Sequence, residues 1–374
     1  MKKLILPLVA LSLLTGCKKD KEEDPVEETK DEKVVYDIPK TYSFGETVSY
    51  TGQTDRLAML GALKAEVSKS HTAGAEVSEE TLLNMYKNEN SPFEGDIGSS
   101  GKNLSGKTEA NAQAAVLDLL KEISQNSGVE GGEDGKAGLV YYKKKETNIL
   151  VNAKGQEYAQ LIEKGLMGSC FYYQITSKYL SDEKIGKDVE NVELDKNDDG
   201  TPKKYTKKQH HFDEAFGYFG VPTDWDKNSD GQFWGKYCNK RNSVLKTNDI
   251  FDDFLAGRAA IANNVHEDQI TPVENIKAKI EKVAAGTAIN YFYSGHGYTE
   301  ADELGNRLHS LSEGLCFLRA LQYGGPKVSA SDVQDIEKAL NEGNLFTVSN
   351  EQIEDAIDKL AKAAGLEAEK ESLK

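Results

Sequence analysis

Two short runs of this chain place an imidazole and a carboxylate where they could meet. The first is HHFDEAFGYFG at 210–220, which holds two of the six histidines. If it is helical, His211 and Glu214 lie three apart and leave from one face. The second, HSLSEGLCFLRAL, sets His309 and Glu313 four apart, again on one face. Imidazole plus carboxylate suits iron, zinc or copper, and helix-borne pairs of this kind build metal sites inside bundles. Each pair reads equally well as a buried hydrogen bond at a bundle interface. His211, Glu214, His309 and Glu313 are thus the candidate ligands for a transition metal, iron or zinc, with His210 a bystander. Phe216, Tyr218 and Phe219 would pack the helix end, with Gly217 allowing close approach and Gly220 the stop.

Other motifs point to weaker chemistry. Two loops read Asp-x-Asn-x-Asp-Gly, through Asp195, Asn197 and Asp199 and through Asp226, Asn228 and Asp230. Alternating short oxygen ligands followed by Gly open an EF-hand-type calcium loop. Thr206 and Tyr237 stand where such a loop needs its bidentate acid, and Asp, Asn and Gly also make ordinary turns. Ser294 and His296 sit close together in Tyr-Ser-Gly-His-Gly, but no strand–turn–helix context surrounds them for a nucleophile elbow. The chain has no HExxH and no dinucleotide fingerprint.

Helices must position these residues. Val116, Leu119, Leu120 and Ile123 follow helical spacing, as do Ile276, Ile280 and Val283, and Ile353, Ile357, Leu360 and Ala364. Thr271-Pro272-Val273-Glu274 predicts one helix start and Ser349-Asn350-Glu351-Gln352 another. His296 and Gly297 would end the helix begun at Pro272, and Val265–Asp268 reads as a solvated helix end. Further helical stretches run near 55–68, 79–88, 156–181, 244–263 and 300–323. Breaks fall at 127–138, 182–208 and 220–232, and a weak hairpin signal follows Tyr141-Tyr142. The expected fold class is all-α, as two packed helical bundles.

The N-terminus reads MKKLILPLVALSLLTGC: a basic start, an apolar run too short to span a bilayer, then Leu-Thr-Gly-Cys17. The pattern resembles a lipoprotein export signal over 1–16 with lipidation of Cys17, so the expected membrane partner is reached through that lipid. Residues 17–40 are dominated by charge and read as an acidic disordered tether. Such a run after Cys17 also resembles the surface-export signal of Bacteroidota lipoproteins. The expected place is the outer membrane, facing the cell exterior. With 46 basic against 62 acidic residues the net charge is −16, which argues against nucleic acid as partner. Cys170, Cys238 and Cys316 cannot all pair, and they read as small buried hydrophobes.

The stretches YSFGETVSYTGQTDRLAML, HHFDEAFGYFGVP, FWGKYCNKRN and HSLSEGLCFLRAL, in that order, resemble an uncharacterised Bacteroidota lipoprotein family, a domain of unknown function. More distantly, His211-x-x-Glu214 and the following Tyr218-Phe219-Gly220 resemble imelysin-like proteins, although Gln209 stands where their motif has Gly. That resemblance implies a two-bundle helical domain over 41–366 with a break near 182–232. It also implies metal binding at His211 and Glu214, in iron or other metal acquisition. The alternative is a surface ligand-binding or accessory subunit of an outer-membrane transporter, without metal. A peptidase is the lesser implication.

Overall fold

The computed structural model describes residues 34–374 apart from 228 and 230, so the expected signal segment, Cys17 and the expected tether as far as residue 33 lie outside the described residues. Among the described residues the periodicities fold as helices, and the fold is all-α apart from one hairpin. The first half holds α1 (Thr51–Ser68), α2 (Glu79–Lys87), α3 (Gly95–Ser99) and α4 (Ala110–Asn126). The antiparallel hairpin β1 (Gly138–Tyr142) and β2 (Thr147–Val151) follows, then α5 (Tyr158–Leu166) and α6 (Asp182–Ile185). The second half holds α7 (Lys207–Phe219), α8 (Phe233–Leu245), α9 (Ile250–Ala262) and α10 (His266–Gly297). It closes with α11 (Leu304–Ala320), α12 (Ala330–Ala339) and α13 (Asn350–Ala364). Tyr36–Lys374 form one unit, in which α10 packs against α8, α9, α11 and α13, while α1 packs against α5 and α7. No helix among the described residues is long and apolar enough to cross a membrane.

Local chemistry sets the helix starts. Thr206 and Gln209 form a reciprocal capping box on α7, and Ser349 and Gln352 do the same on α13, the second as its spacing predicts. The expected start at Thr271-Pro272 is not the observed one: α10 begins at His266 and carries Pro272 inside it. The extra turn is held from outside. Gln269 Nε2 donates to the Ile185 carbonyl at 2.8 Å and Tyr36 OH donates to Asp268 at 2.9 Å. Tertiary contacts thus outweigh the proline's local preference for the first helical turn. The Val265–Asp268 stretch is accordingly a partly exposed helix end, the N-terminal one of α10.

Beyond Leu166, α5 continues as a wider π-helix through Met167–Tyr172 and Gln174–Tyr179. Such stretches are rare and recur at functional sites. Met167, Cys170, Phe171 and Tyr172 are fully buried, so this segment runs through the core.

The motif at 210–220 is a helix end packed in aromatics. Phe216 stacks on Tyr42 with centroids 3.7 Å apart and meets Phe254 edge-on at 5.4 Å. A Cβ on Gly217 would lie 2.8 Å from the side chains of Tyr50 and Gln53, so α7 reaches α1 only with glycine there. Gly220 caps the helix at φ +82°.

The middle of the motif carries a group that its spacing did not single out. Asp213 and Arg258 are both wholly buried and pair at 2.7 Å through Nε. Asp213 also accepts from Tyr42 OH at 2.9 Å and the Ser49 amide at 3.1 Å. Arg258 donates to Thr47 Oγ1 at 3.0 Å and lies over the Phe44 ring. The pair therefore ties the 41–50 segment to α7 and α9. Removing one partner of a buried pair leaves an uncompensated charge, at a cost of about 3–5 kcal/mol. Asp213→Asn is expected to lose about that much unfolding free energy in urea. The double variant Asp213→Leu/Arg258→Met should lose less than Asp213→Asn alone, and a single variant within about 1 kcal/mol of wild type contradicts the assignment.

Candidate functional site

In the first His/Glu run the ring nearest the carboxylate is not the expected one. His211 Nδ1 bonds the Lys184 carbonyl at 3.0 Å, and its ring tilts toward Tyr179. It is His210 whose Nε2 comes within 3.9 Å of Glu214, four residues on. Glu214 itself accepts from Gln53 Nε2 at 2.7 Å and Tyr179 OH at 2.9 Å. His210 bonds the Ser49 carbonyl through Nδ1 at 2.9 Å and stacks under Tyr205. Burial pushes the His210 pKa below its usual value, although Glu214 opposes the shift, so this imidazole stays neutral.

The second run has the same spacing and the opposite electrostatics. His309 Nδ1 meets Glu157 Oε2 at 2.6 Å, while Nε2 faces Glu313 Oε2 at 3.5 Å. Its ring stacks on Tyr142 at 4.6 Å. Burial lowers the His309 pKa, but the charge and hydrogen bond of Glu157, helped by Glu313, outweigh it and hold the pKa above 6.5. Glu157 is 2 % exposed, and burial alone would raise its carboxyl. The charge and hydrogen bond of His309 reverse this and hold it below 4.5. The Glu157 amide donates to Ser312 Oγ at 2.8 Å, which fixes the start of α5 against α11. Glu313 also lies 3.8 Å from Lys164 and accepts from Tyr237 OH at 3.5 Å.

The two pairs have separate partners, so α7 and α11 do not pool their ligands in these contacts. Metal ligation needs an imidazole lone pair, whereas both nitrogens of His309 are turned to carboxylates, which favour the protonated ring. Among the described residues no group of three or more His, Cys, Asp or Glu side chains is arranged to hold a metal ion.

The first calcium-like loop closes as a turn. Asp195 is ion-paired with Lys203 at 2.7 Å, Asp199 accepts from the Thr201 amide and hydroxyl, and Asn197 donates to Thr201 Oγ1. In the second loop Asp226 accepts from the Ser229 amide, and Asn228 and Asp230 lie outside the described residues. Ser294 donates to the Asn290 carbonyl within its own helix, and His296 pairs with the exposed Glu354. Cys170, Cys238 and Cys316 are free and buried, with thiols that burial pushes up to about 12.

A different feature lies on the other side of α11. Helices α4, α5 and the end of α11 line an open cavity of about 390 Å³. Val116, Leu119, Leu161 and Ala320 give it apolar walls, and Gln156, Arg319, Asp118 and Glu122 add polar groups. A groove of about 430 Å³ continues from it past Ala112, Ala115 and Tyr323 to Tyr173 and Glu109. Gly165 lines the cavity from the interior of α5, and a Cβ there would meet nothing within 4 Å. The π-helical stretch begins two residues later, and Ser169 within it also lines the wall.

These cavity residues, like Glu157 and Asp213, had no motif to announce them. Their partners are distant in sequence, as with Arg319 and Gln156, which meet at 3.4 Å across 163 positions. The available signal was Gly165, a glycine in an apolar helical run with no turn to justify it.

The pairing of His309 with Glu157 fixes a pH dependence. A raised imidazole pKa gives stability that is complete below about 6.5 and lost as pH climbs through the folded value. A lowered carboxyl pKa gives stability present above about 4.5 and lost as pH falls through the folded value. The difference in unfolding free energy between wild type and His309→Gln should therefore peak between these limits, at about 1.5–3 kcal/mol. Chemical denaturation at a series of pH values measures it. A difference that stays flat from about pH 4 to 9 excludes the imidazolium pair.

No curated protein and no solved structure matches the chain. The sequence model of one family, a domain of unknown function designated DUF4856, matches residues 39–367. With its helical unit spanned almost from end to end by that match, the chain belongs to the DUF4856 family.

Proposed function

We propose that this chain is a lipid-anchored envelope protein that binds a small organic ligand in the cavity between α4, α5 and α11. The observation that carries this reading is a cavity of about 390 Å³ whose wall includes a helix-interior glycine that no packing contact requires. Glycine in a helix interior costs about 0.5–1 kcal/mol relative to alanine. Mixed apolar and polar lining at this volume is usual for small-molecule sites. The neighbouring π-helical register fits a functional wall.

The cavity is favoured over the histidines because the nitrogens of His309 already face carboxylates and His211 faces a backbone carbonyl. The imelysin-like resemblance supports a helical envelope protein without itself requiring metal. The Leu-Thr-Gly-Cys17 sequence supports a lipid anchor in the outer membrane, and the charged run after it supports outward display beside a transporter.

A Cβ at 165 meets nothing within 4 Å, so Gly165→Phe is expected to enter the cavity and to melt at or above the wild-type temperature. In a thermal-shift screen of small organic molecules, compounds that stabilise wild type are expected to leave Gly165→Phe unmoved. If every stabilising compound acts equally on both, the cavity is not the site. Stoichiometric iron or zinc in protein isolated from cells, lost in His309→Ala, would favour the metal reading instead. Anchoring has its own check: Cys17→Ser should move the protein from the membrane fraction to the soluble fraction, and unchanged partition refutes lipidation.

A further inference from the structure

The charges around the cavity select among ligands. Arg319 is its one cationic lining residue, but the guanidinium is already engaged. Its Nε and Nη2 donate to Glu337 at 3.1 and 2.5 Å, and Nη1 donates to Gln156 Oε1 at 3.4 Å. Gln156 is committed too, since its Nε2 donates to the Gly343 carbonyl at 2.7 Å. That wall therefore offers neither net positive charge nor a free donor fork to an anion.

The facing wall differs. Asp118 and Glu122 are four apart on α4 and both line the cavity. Asp118 has no ion pair or hydrogen bond among the described residues, and Glu122 accepts only a phenol hydrogen bond, from Tyr158 at 3.3 Å. Like charges at this spacing repel, and neither carboxylate has an ion pair among the described residues. The adjoining groove is lined by Tyr323, by Tyr173, whose ring already lies under the Lys178 ammonium, and by Glu109. The apolar walls and the open space above Gly165 require the rest of the ligand to be hydrocarbon.

We propose that the cavity takes an organic cation, an ammonium or guanidinium group on an apolar body, with Asp118 and Glu122 receiving the charge. This rests on the cavity being the binding site, and the test separates the two claims. Phenylbutylammonium, phenylbutyrate and phenylbutanol share one hydrocarbon body and differ in head charge. Each is titrated by calorimetry into the full chain, into Gly165→Phe and into the double variant Asp118→Asn/Glu122→Gln. Both carboxylates are solvent-exposed, so the double variant is expected to keep the wild-type melting temperature.

The ammonium should bind about tenfold more tightly than the carboxylate, the scale of two partly exposed ion pairs, and the gap should narrow with added salt. It should also close in the double variant, and Gly165→Phe should abolish binding of all three probes. Equal or tighter binding of the carboxylate, still abolished by Gly165→Phe, overturns the cation assignment and keeps the site. Binding that ignores Gly165→Phe, or no binding by any probe, overturns the site itself and the assignment with it.

Discussion

A buried ion pair is costly unless further hydrogen bonds satisfy its charges, because desolvation otherwise exceeds their attraction. The Asp213 carboxylate has three such contacts, with Arg258, the Tyr42 hydroxyl and the Ser49 amide, while Arg258 Nη1 has no partner among the described residues. The consequence is positional. Once Ser49 is pinned to Asp213, its carbonyl stands where His210 Nδ1 can bond it, and Tyr50 and Gln53 are brought under Gly217. Gln53 then reaches Glu214. The polar side chains of α7 thus find their partners because one charge, in the middle of the motif, fixes the segment that supplies them.

The two His-x-x-x-Glu runs show how little spacing decides. Both place an imidazole within 4 Å of a carboxylate one helical turn away. His210 meets a backbone carbonyl on its other side, and burial keeps it neutral. His309 meets a second, wholly enclosed carboxylate in Glu157, which outweighs the same burial. The sign of the shift is set by what arrives from another element, α5 for His309 and the 41–50 segment for His210. An i,i+4 pair read along one helix contains neither.

This is also why the sequence was informative about elements and poor about sites. Helical class, the capping box at Ser349, and the buried faces at Ile353, Ile357 and Leu360 all follow from neighbours in the chain, and the structure has them. So does the role of Phe216, Tyr218 and Phe219 in packing the end of α7. The start of α10 was misread because its first turn is held by Ile185 and Tyr36, residues far away in sequence. His211 was preferred to His210 because three-residue spacing puts it on the face of Glu214. In the fold that carboxylate turns to Gln53 and Tyr179, while His211 turns to the end of α6. Leu119 fits the apolar stripe of α4 yet is only partly buried, since that edge of the stripe faces the cavity and not the core.

Two glycines in one helix show how the cavity is kept open beside a tight contact. A Cβ on Gly168 would lie 2.8 Å from the Ala320 Cβ, so that glycine lets α5 and α11 approach closely. One turn earlier Gly165 has nothing to approach. Close contact at 168 brings α11 against α5, and the missing side chain at 165 leaves the gap that α4 then roofs with Val116 and Leu119. Protein interiors close such gaps readily, because unfilled space forfeits dispersion contacts along its whole lining. Here the lining instead carries uncompensated carboxylates, a glycine in a helix interior and an adjoining π-helical register. The glycine lowers the stability of the wall, and a bound hydrocarbon body would recover it by supplying the missing dispersion contacts.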